Sequence, residues 1–128
     1  MRITRVHHIA IICSDYARSK AFYVGILGCV IVNETYREAR DSFKLDLTLS
    51  GEYVIELFSF PETPPRLTGP EACGLRHLAF EVPDVEEAVR DLQSAGVKAE
   101  PIRIDEITGK RFTFTRDPDD LPIEFYER

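Results

Sequence analysis

Apolar residues along this chain fall into short β-branched runs and two helical stripes, and the same order of elements occurs twice. Val6 to Cys13 is an isoleucine-rich run ending at Ser14-Asp15, which predicts a strand leading into a helix N-cap. The helix is expected over Tyr16 to Leu27, where Ala17, Ala21, Phe22, Val24, Ile26 and Leu27 share one face, and Gly28 ends it. Extended segments are expected at Val30 to Tyr36, Phe43 to Leu49 and Tyr53 to Phe58, with Ser50-Gly51-Glu52 as a hairpin turn between the last two. Prolines from Pro61 to Pro70 then interrupt the pattern, and residues 61–72 read as a linker. Beyond it come a strand at Leu75 to Val82, a cap at Pro83-Asp84, a helix at Val85 to Ala95 and a stop at Gly96. Strands at Lys98 to Arg103 and Arg111 to Thr115, a turn at Asp117-Pro118-Asp119-Asp120 and a closing strand at Ile123 to Tyr126 complete the chain.

The two halves superimpose as sequences. His8-Ile9-Ala10 lies over His77-Leu78-Ala79 and Asp15 over Asp84, both at a shift of 69 (77 − 8 and 84 − 15). Farther on, Val54-Ile55-Glu56-Leu57-Phe58 lies over Pro122-Ile123-Glu124-Phe125-Tyr126 at a shift of 68 (124 − 56). Each half is thus a βαβββ unit, about residues 1–60 and 73–128, within one α+β domain over 1–128. Such units leave open sheet edges and an apolar face, so pairing them, within the chain or across a homodimer, is the expected way to bury both.

Composition narrows the function. With 22 acidic and 16 basic residues and a net charge of -6, the chain repels phosphate backbones and anionic membrane surfaces, so no nucleic acid or membrane partner is expected. Ile9 to Cys13 is too short an apolar run to cross a bilayer or to form a secretory core. Cys13, Cys29 and Cys73 show no paired spacing; they read as small apolar packing residues in a reducing cytoplasm.

Four residues interrupt the apolar strands at matching places: His8, Glu56, His77 and Glu124. Carboxylates flanked by Ile55, Leu57, Ile123 and Phe125 are costly to bury without a compensating charge, and a divalent cation would supply it. Two imidazoles and two carboxylates form a mixed shell suited to zinc, nickel, cobalt, manganese or iron, with positions left for water or a small-molecule substrate. That openness favours a catalytic site over a structural one. His7 and Arg76 precede the histidines, and strand alternation predicts that they face the other way. The phenylalanines Phe58, Phe60, Phe112, Phe114 and Phe125 read as core or pocket walls.

The strings Val6-His7-His8-Ile9-Ala10-Ile11, Val54-Ile55-Glu56-Leu57-Phe58, Leu75-Arg76-His77-Leu78-Ala79-Phe80 and Asp117-Pro118-Asp119 through Pro122-Ile123-Glu124-Phe125 resemble, in order, the four signature strands of the vicinal oxygen chelate superfamily and, within it, glyoxalase I. The resemblance covers nearly the whole chain. It implies two βαβββ modules forming a curved mixed sheet around one divalent metal, nickel or zinc above all, held by His8, Glu56, His77 and Glu124. It further implies a lyase or isomerase reaction on an α-carbonyl compound or its thiol hemithioacetal through an enediolate. Glu124 is the implied general base and Glu56 the second candidate. Where glyoxalase I has an arginine and an asparagine that hold glutathione, this chain has Ile12 and Phe60, which argues against glutathione and makes Phe60 a substrate-facing candidate. Lys110 and Arg111 lie in the loop where relatives reach an anionic part of the substrate. Asp120 replaces the glycine of the family's turn, which asparagine-like residues tolerate. An iron dioxygenase and a metal-free drug-binding dimer are the alternatives that the resemblance leaves open.

Overall fold

A computed structural model describes all residues, 1–128, as two compact units, Met1–Pro65 and Arg66–Arg128. In the first unit β1 (Ile9–Cys13) leads to α1 (Tyr16–Lys20), followed by β2 (Val30–Arg37), β3 (Ser42–Leu49) and β4 (Glu52–Ser59). In the second, β5 (Leu78–Val82), α2 (Val85–Ser94), β6 (Arg103–Ile104), β7 (Arg111–Arg116) and β8 (Pro122–Glu127) follow the same plan. Each unit builds one four-stranded mixed sheet, in the order β1-β4-β3-β2 and β5-β8-β7-β6.

The registers decide which residues share a face. Leu45 pairs with Leu57, Leu47 with Ile55 and Ile11 with Leu57, so one face of the first sheet is apolar. Leu45, Leu47, Ile55 and Leu57 lose all contact with water, each contributing about 1.5–3 kcal/mol. The helix lies against β4, with Ser19, Phe22 and Tyr23 buried. In the second unit Leu78, Ile123 and Phe125 form the equivalent face under α2, which buries Val85 and Leu92.

Both helices begin at an aspartate, with Asp15 Oδ1 accepting the Arg18 N–H at 3.1 Å and Asp84 Oδ1 the Glu86 N–H at 2.8 Å. They differ by one residue before their glycine stops: thirteen steps from Asp15 to Gly28, twelve from Asp84 to Gly96 (28 − 15 and 96 − 84). The first helix absorbs the extra residue by widening into a π-helical turn at Ala21–Ile26, where the Leu27 N–H donates to Phe22 O five residues back at 3.0 Å. The change of repeat shift from 69 to 68 is this turn.

Three expected strands begin or end elsewhere. Strands β1 and β5 start at Ile9 and Leu78 rather than Val6 and Leu75, whose side chains are exposed. Lys98 to Arg103 forms a ladder only at Arg103–Ile104. Its upstream part is tied to β7 mostly by side chains: Thr113 Oγ1 donates to Glu100 O and Thr115 Oγ1 to Lys98 O, both at 2.7 Å, while Pro101 has no N–H to offer. Ser50 and Gly51 both take positive φ, the requirement of a two-residue hairpin. Along β2 the register with β3 shifts between Ile31 and Asn33, a bulge at Val32. Of the cysteines, Cys13 and Cys29 are buried as expected, but Cys73 is exposed, on a segment outside either sheet. No helix is long and apolar enough to cross a membrane.

The turn before β8 is held by one side chain. Asp117 Oδ1 accepts the N–H groups of Asp119 at 2.8 Å and Leu121 at 2.9 Å, and Asp120 takes φ +69, as its place in the turn predicts. Replacing Asp117 with alanine leaves two inward N–H groups without acceptors and should lower unfolding free energy by about 2–3 kcal/mol, measured by chemical denaturation.

Candidate functional site

The last strand of each unit runs parallel to its first, and that pairing brings the ionisable residues together. Ala10 pairs with Glu56 and Ala79 with Glu124. The histidine two residues before each alanine therefore reaches the glutamate's side of the sheet. His8 Nε2 lies 3.5 Å from Glu56 Oε2, and His77 Nε2 lies 3.1 Å from Glu124 Oε2. Both glutamate side chains retain 14% of their exposure against 35% and 28% for the histidines, so the carboxylates lie deeper.

The other imidazole nitrogen is engaged by the preceding residue. His7 Nδ1 is 2.7 Å from His8 Nδ1, and Arg76 Nη1 is 3.1 Å from His77 Nδ1. His7 and Arg76 thus turn toward the histidines, against the alternation expected of them, because β1 and β5 begin only after those histidines. A guanidinium only donates, so His77 Nδ1 accepts here and the imidazole proton sits on Nε2, toward Glu124.

The floors beneath the two glutamates differ. Across the ladder from Glu56 is Asp46, and across from Glu124 is Phe114. Lys44 Nζ bridges Asp46 Oδ1 at 2.6 Å and Glu56 Oε1 at 3.1 Å, and the Tyr53 hydroxyl donates to the same Glu56 oxygen at 2.5 Å. Partial burial pushes the Glu56 carboxyl up, but Tyr53, Lys44 and the His8 ring together outweigh it and hold the group below its ordinary range. Burial, reinforced by Glu56 and Asp46, pushes the Tyr53 phenol well up, so it stays protonated as a donor. Chiefly through Asp46, Lys44 is held protonated above its usual range. In the second unit Phe112 and Leu121 occupy the places of Lys44 and Tyr53 (44 + 68 and 53 + 68), and the His77 ring meets Phe114 edge-on at 5.2 Å.

Each unit supplies one histidine and one glutamate, and no group of three or more His, Cys, Asp or Glu side chains able to hold a metal is gathered in the chain. The donor chemistry of the pairs fits a cation: two ligands about 2.1 Å from one ion, at octahedral or tetrahedral angles, lie about 3.0–3.4 Å apart. The separations of 3.1 and 3.5 Å are of that size.

The remaining sequence candidates are engaged elsewhere. Arg111 grips Glu127 through Nε at 2.9 Å and Nη2 at 2.5 Å and reaches Glu86 at 2.8 Å, while Lys110 Nζ donates to the Arg128 carbonyl at 2.6 Å. Phe60 stacks on Phe58 at 6.3 Å with Arg37 and Arg40 over its ring. Lys44, Asp46 and Tyr53 were not candidates from the sequence. Their signal was a Lys-x-Asp pair inside the apolar run of Leu45 and Leu47, at the period that faces Glu56.

A profile of the Glyoxalase/Bleomycin resistance protein/Dioxygenase superfamily matches residues 5–125. The chain belongs to this superfamily. Among its relatives, YwkD, an uncharacterized protein of Bacillus subtilis (strain 168), is 62% identical over 128 residues, covering 100% of both chains. YaeR, an uncharacterized protein of Escherichia coli (strain K12), is 63% identical and covers 98% of both. The crystal structure of the glyoxalase family protein from Enterococcus faecalis is similar with a TM-score of 0.91 and 43% identity, covering 99% of this chain and 100% of that one. The doubled βαβββ plan is the fold of this superfamily, and fold and membership agree with what the four strand motifs led one to expect.

Because the Tyr53 hydroxyl stabilises the ionised form of Glu56, a Tyr53→Phe variant should titrate Glu56 at higher pH, read from its side-chain carboxyl resonance. A depressed folded pKa contributes stability above the unfolded value, lost as pH falls through the folded one. The variant's stability deficit at neutral pH should therefore shrink on acidification.

Proposed function

We propose that this chain is a metal-dependent lyase or isomerase of the glyoxalase I type, acting on a small α-carbonyl compound or its thiol adduct. The carrying observation is the matched pair of contacts, His8 Nε2 to Glu56 Oε2 and His77 Nε2 to Glu124 Oε2, on equivalent parallel ladders. In this reading His8, Glu56, His77 and Glu124 hold one divalent cation, nickel or zinc before cobalt, manganese or iron, with the two pairs contributed by one chain or by two copies in a homodimer. When bound, the cation supplies Lewis-acid stabilisation of the charge that develops on the substrate oxygens.

The unequal floors divide the work between the carboxylates. Glu56, clamped by Tyr53 and Lys44, is suited to remain a fixed anchor. Glu124 lies over Phe114, with Phe112 and Leu121 where the clamp would be, so it is the carboxylate left to take a proton from the substrate carbon and return it to the neighbour. To hold a cation through Nε2, His77 would have to offer that nitrogen's lone pair and carry its proton on Nδ1, where the Arg76 guanidinium could no longer donate. Ile12 and Phe60 in place of polar groups support a substrate without glutathione.

Protein reconstituted in turn with nickel, zinc, cobalt and manganese should carry metal stoichiometrically by elemental analysis and lose it in His8→Ala and His77→Ala variants. Glu124→Gln should cut turnover of methylglyoxal, assayed with and without a thiol, by about 10²–10⁴-fold. Wild-type protein that retains none of the four metals would exclude this reading.

A further inference from the structure

Near His77 and Glu124 the second unit holds a cleft of about 260 Å³ lined by four arginines, Arg66, Arg76, Arg103 and Arg116. Its closeness to the candidate site follows from three contacts. Arg76 touches His77 Nδ1; Phe114, on the cleft wall, meets the His77 ring; and Phe114 pairs across the ladder with Glu124. Glu71 and Glu100 also line the cleft and Asp120 sits on Arg116, so four arginines less three carboxylates leave about +1 there, in a chain whose total is -6.

These arginines differ in how their charge is answered. Arg76 pairs with Glu71 at 2.9 Å, Arg103 with Glu100 at 3.1 Å and Arg116 with Asp120 at 2.9 Å. All three are exposed pairs of little net worth, readily exchanged for a better anion. Arg66 has only neutral partners: it donates to Thr68 Oγ1 at 3.1 Å, to the Arg76 carbonyl at 3.2 Å and to the Leu75 carbonyl. These acceptors orient its guanidinium without neutralising it. The Arg103 guanidinium carbon lies 5.0 Å from the centre of the Phe112 ring and 5.6 Å from that of Phe114, cation–π contacts that hold the charge at the cleft.

We propose that this cleft binds a phosphoryl dianion, making the substrate of the adjacent site a small phosphorylated compound. A phosphate monoester carries about −1.5 to −2 charges at neutral pH, enough to answer Arg66 and to draw a second arginine from its exposed carboxylate partner, which a single carboxylate would not do. Forked guanidinium donors suit three phosphoryl oxygens. The volume equals that of roughly nine waters, room for a phosphoryl group and a few carbons. That the bound compound is also the substrate rests on the function proposed above; the anion site itself rests only on side chains of the second unit.

The test is calorimetric titration of the full, metal-free chain with glycerol 3-phosphate, inorganic phosphate and glycerol. Glycerol 3-phosphate should bind once per chain and more tightly than inorganic phosphate, and glycerol should not bind. Arg66→Met and Arg116→Met should each weaken binding by about tenfold or more, and Arg90→Met, on the exposed side of α2, should leave it unchanged. No heat from glycerol 3-phosphate beyond that from glycerol, or equal weakening by Arg90→Met, would overturn the anion cleft. Inorganic phosphate binding as tightly as the ester would overturn the assignment to substrate. Because metal is absent from these titrations, binding of the ester by a protein that takes up no metal would support the cleft while refuting the metal-dependent reading.

Discussion

Everything at the candidate site depends on two parallel strand pairings, β1 with β4 and β5 with β8. A parallel ladder cannot close through a tight turn, so the helix and the two intervening strands of each unit are what the connection requires. The ladder's register is set by burial on the opposite face, where Ile11 meets Leu57 and Leu78 meets Ile123. Slipping either pair by one residue would put Glu56 or Glu124 among those side chains and Ile55 or Ile123 in the open. Core packing on one side of each sheet thus holds a histidine against a carboxylate on the other.

Much of this was legible from the residues because the repeat acts as its own control. Extended apolar segments on either side of Ser50-Gly51 located β3 and β4, and aspartate caps with glycine stops bounded both helices. The equivalence of His8 with His77 and of Glu56 with Glu124 singled out the candidate ligands. Less legible was anything decided by a partner strand. Val6 and Leu75 carry strand-forming side chains, yet the ladders do not reach them, and this reverses where His7 and Arg76 point. The buried hydroxyls of Thr113 and Thr115 take over carbonyls that a longer β6 would have used. At the site, Lys44 with Asp46 reads in isolation as a solvated face, and only the register against β4 turns it into a clamp on Glu56. The arginine cleft draws on segments from Arg66 to Arg116 with no shared spacing, so no linear pattern announces it.

Duplication supplied equivalent positions, and divergence made them chemically unlike. Where the first unit surrounds its glutamate with an ammonium, a phenol and a second carboxylate, the second has Phe112, Leu121 and Phe114 at the equivalent positions. The consequence is two glutamates at equivalent positions with unlike surroundings, one carboxylate held by charged and hydroxyl donors and the other lying across the ladder from a phenyl ring.

The bulge at Val32 has a consequence for life in a concentrated solution. Strand β2 borders its sheet and shows Val30, Ile31 and Val32 to the outside, a surface on which a foreign strand could grow. With the spacing of N–H and C=O groups broken between Ile31 and Asn33, such a strand finds matching rungs on one side of the kink only. Resistance to fibre-like stacking is built into the backbone at that point, which leaves the side chains of the border free to remain hydrophobic.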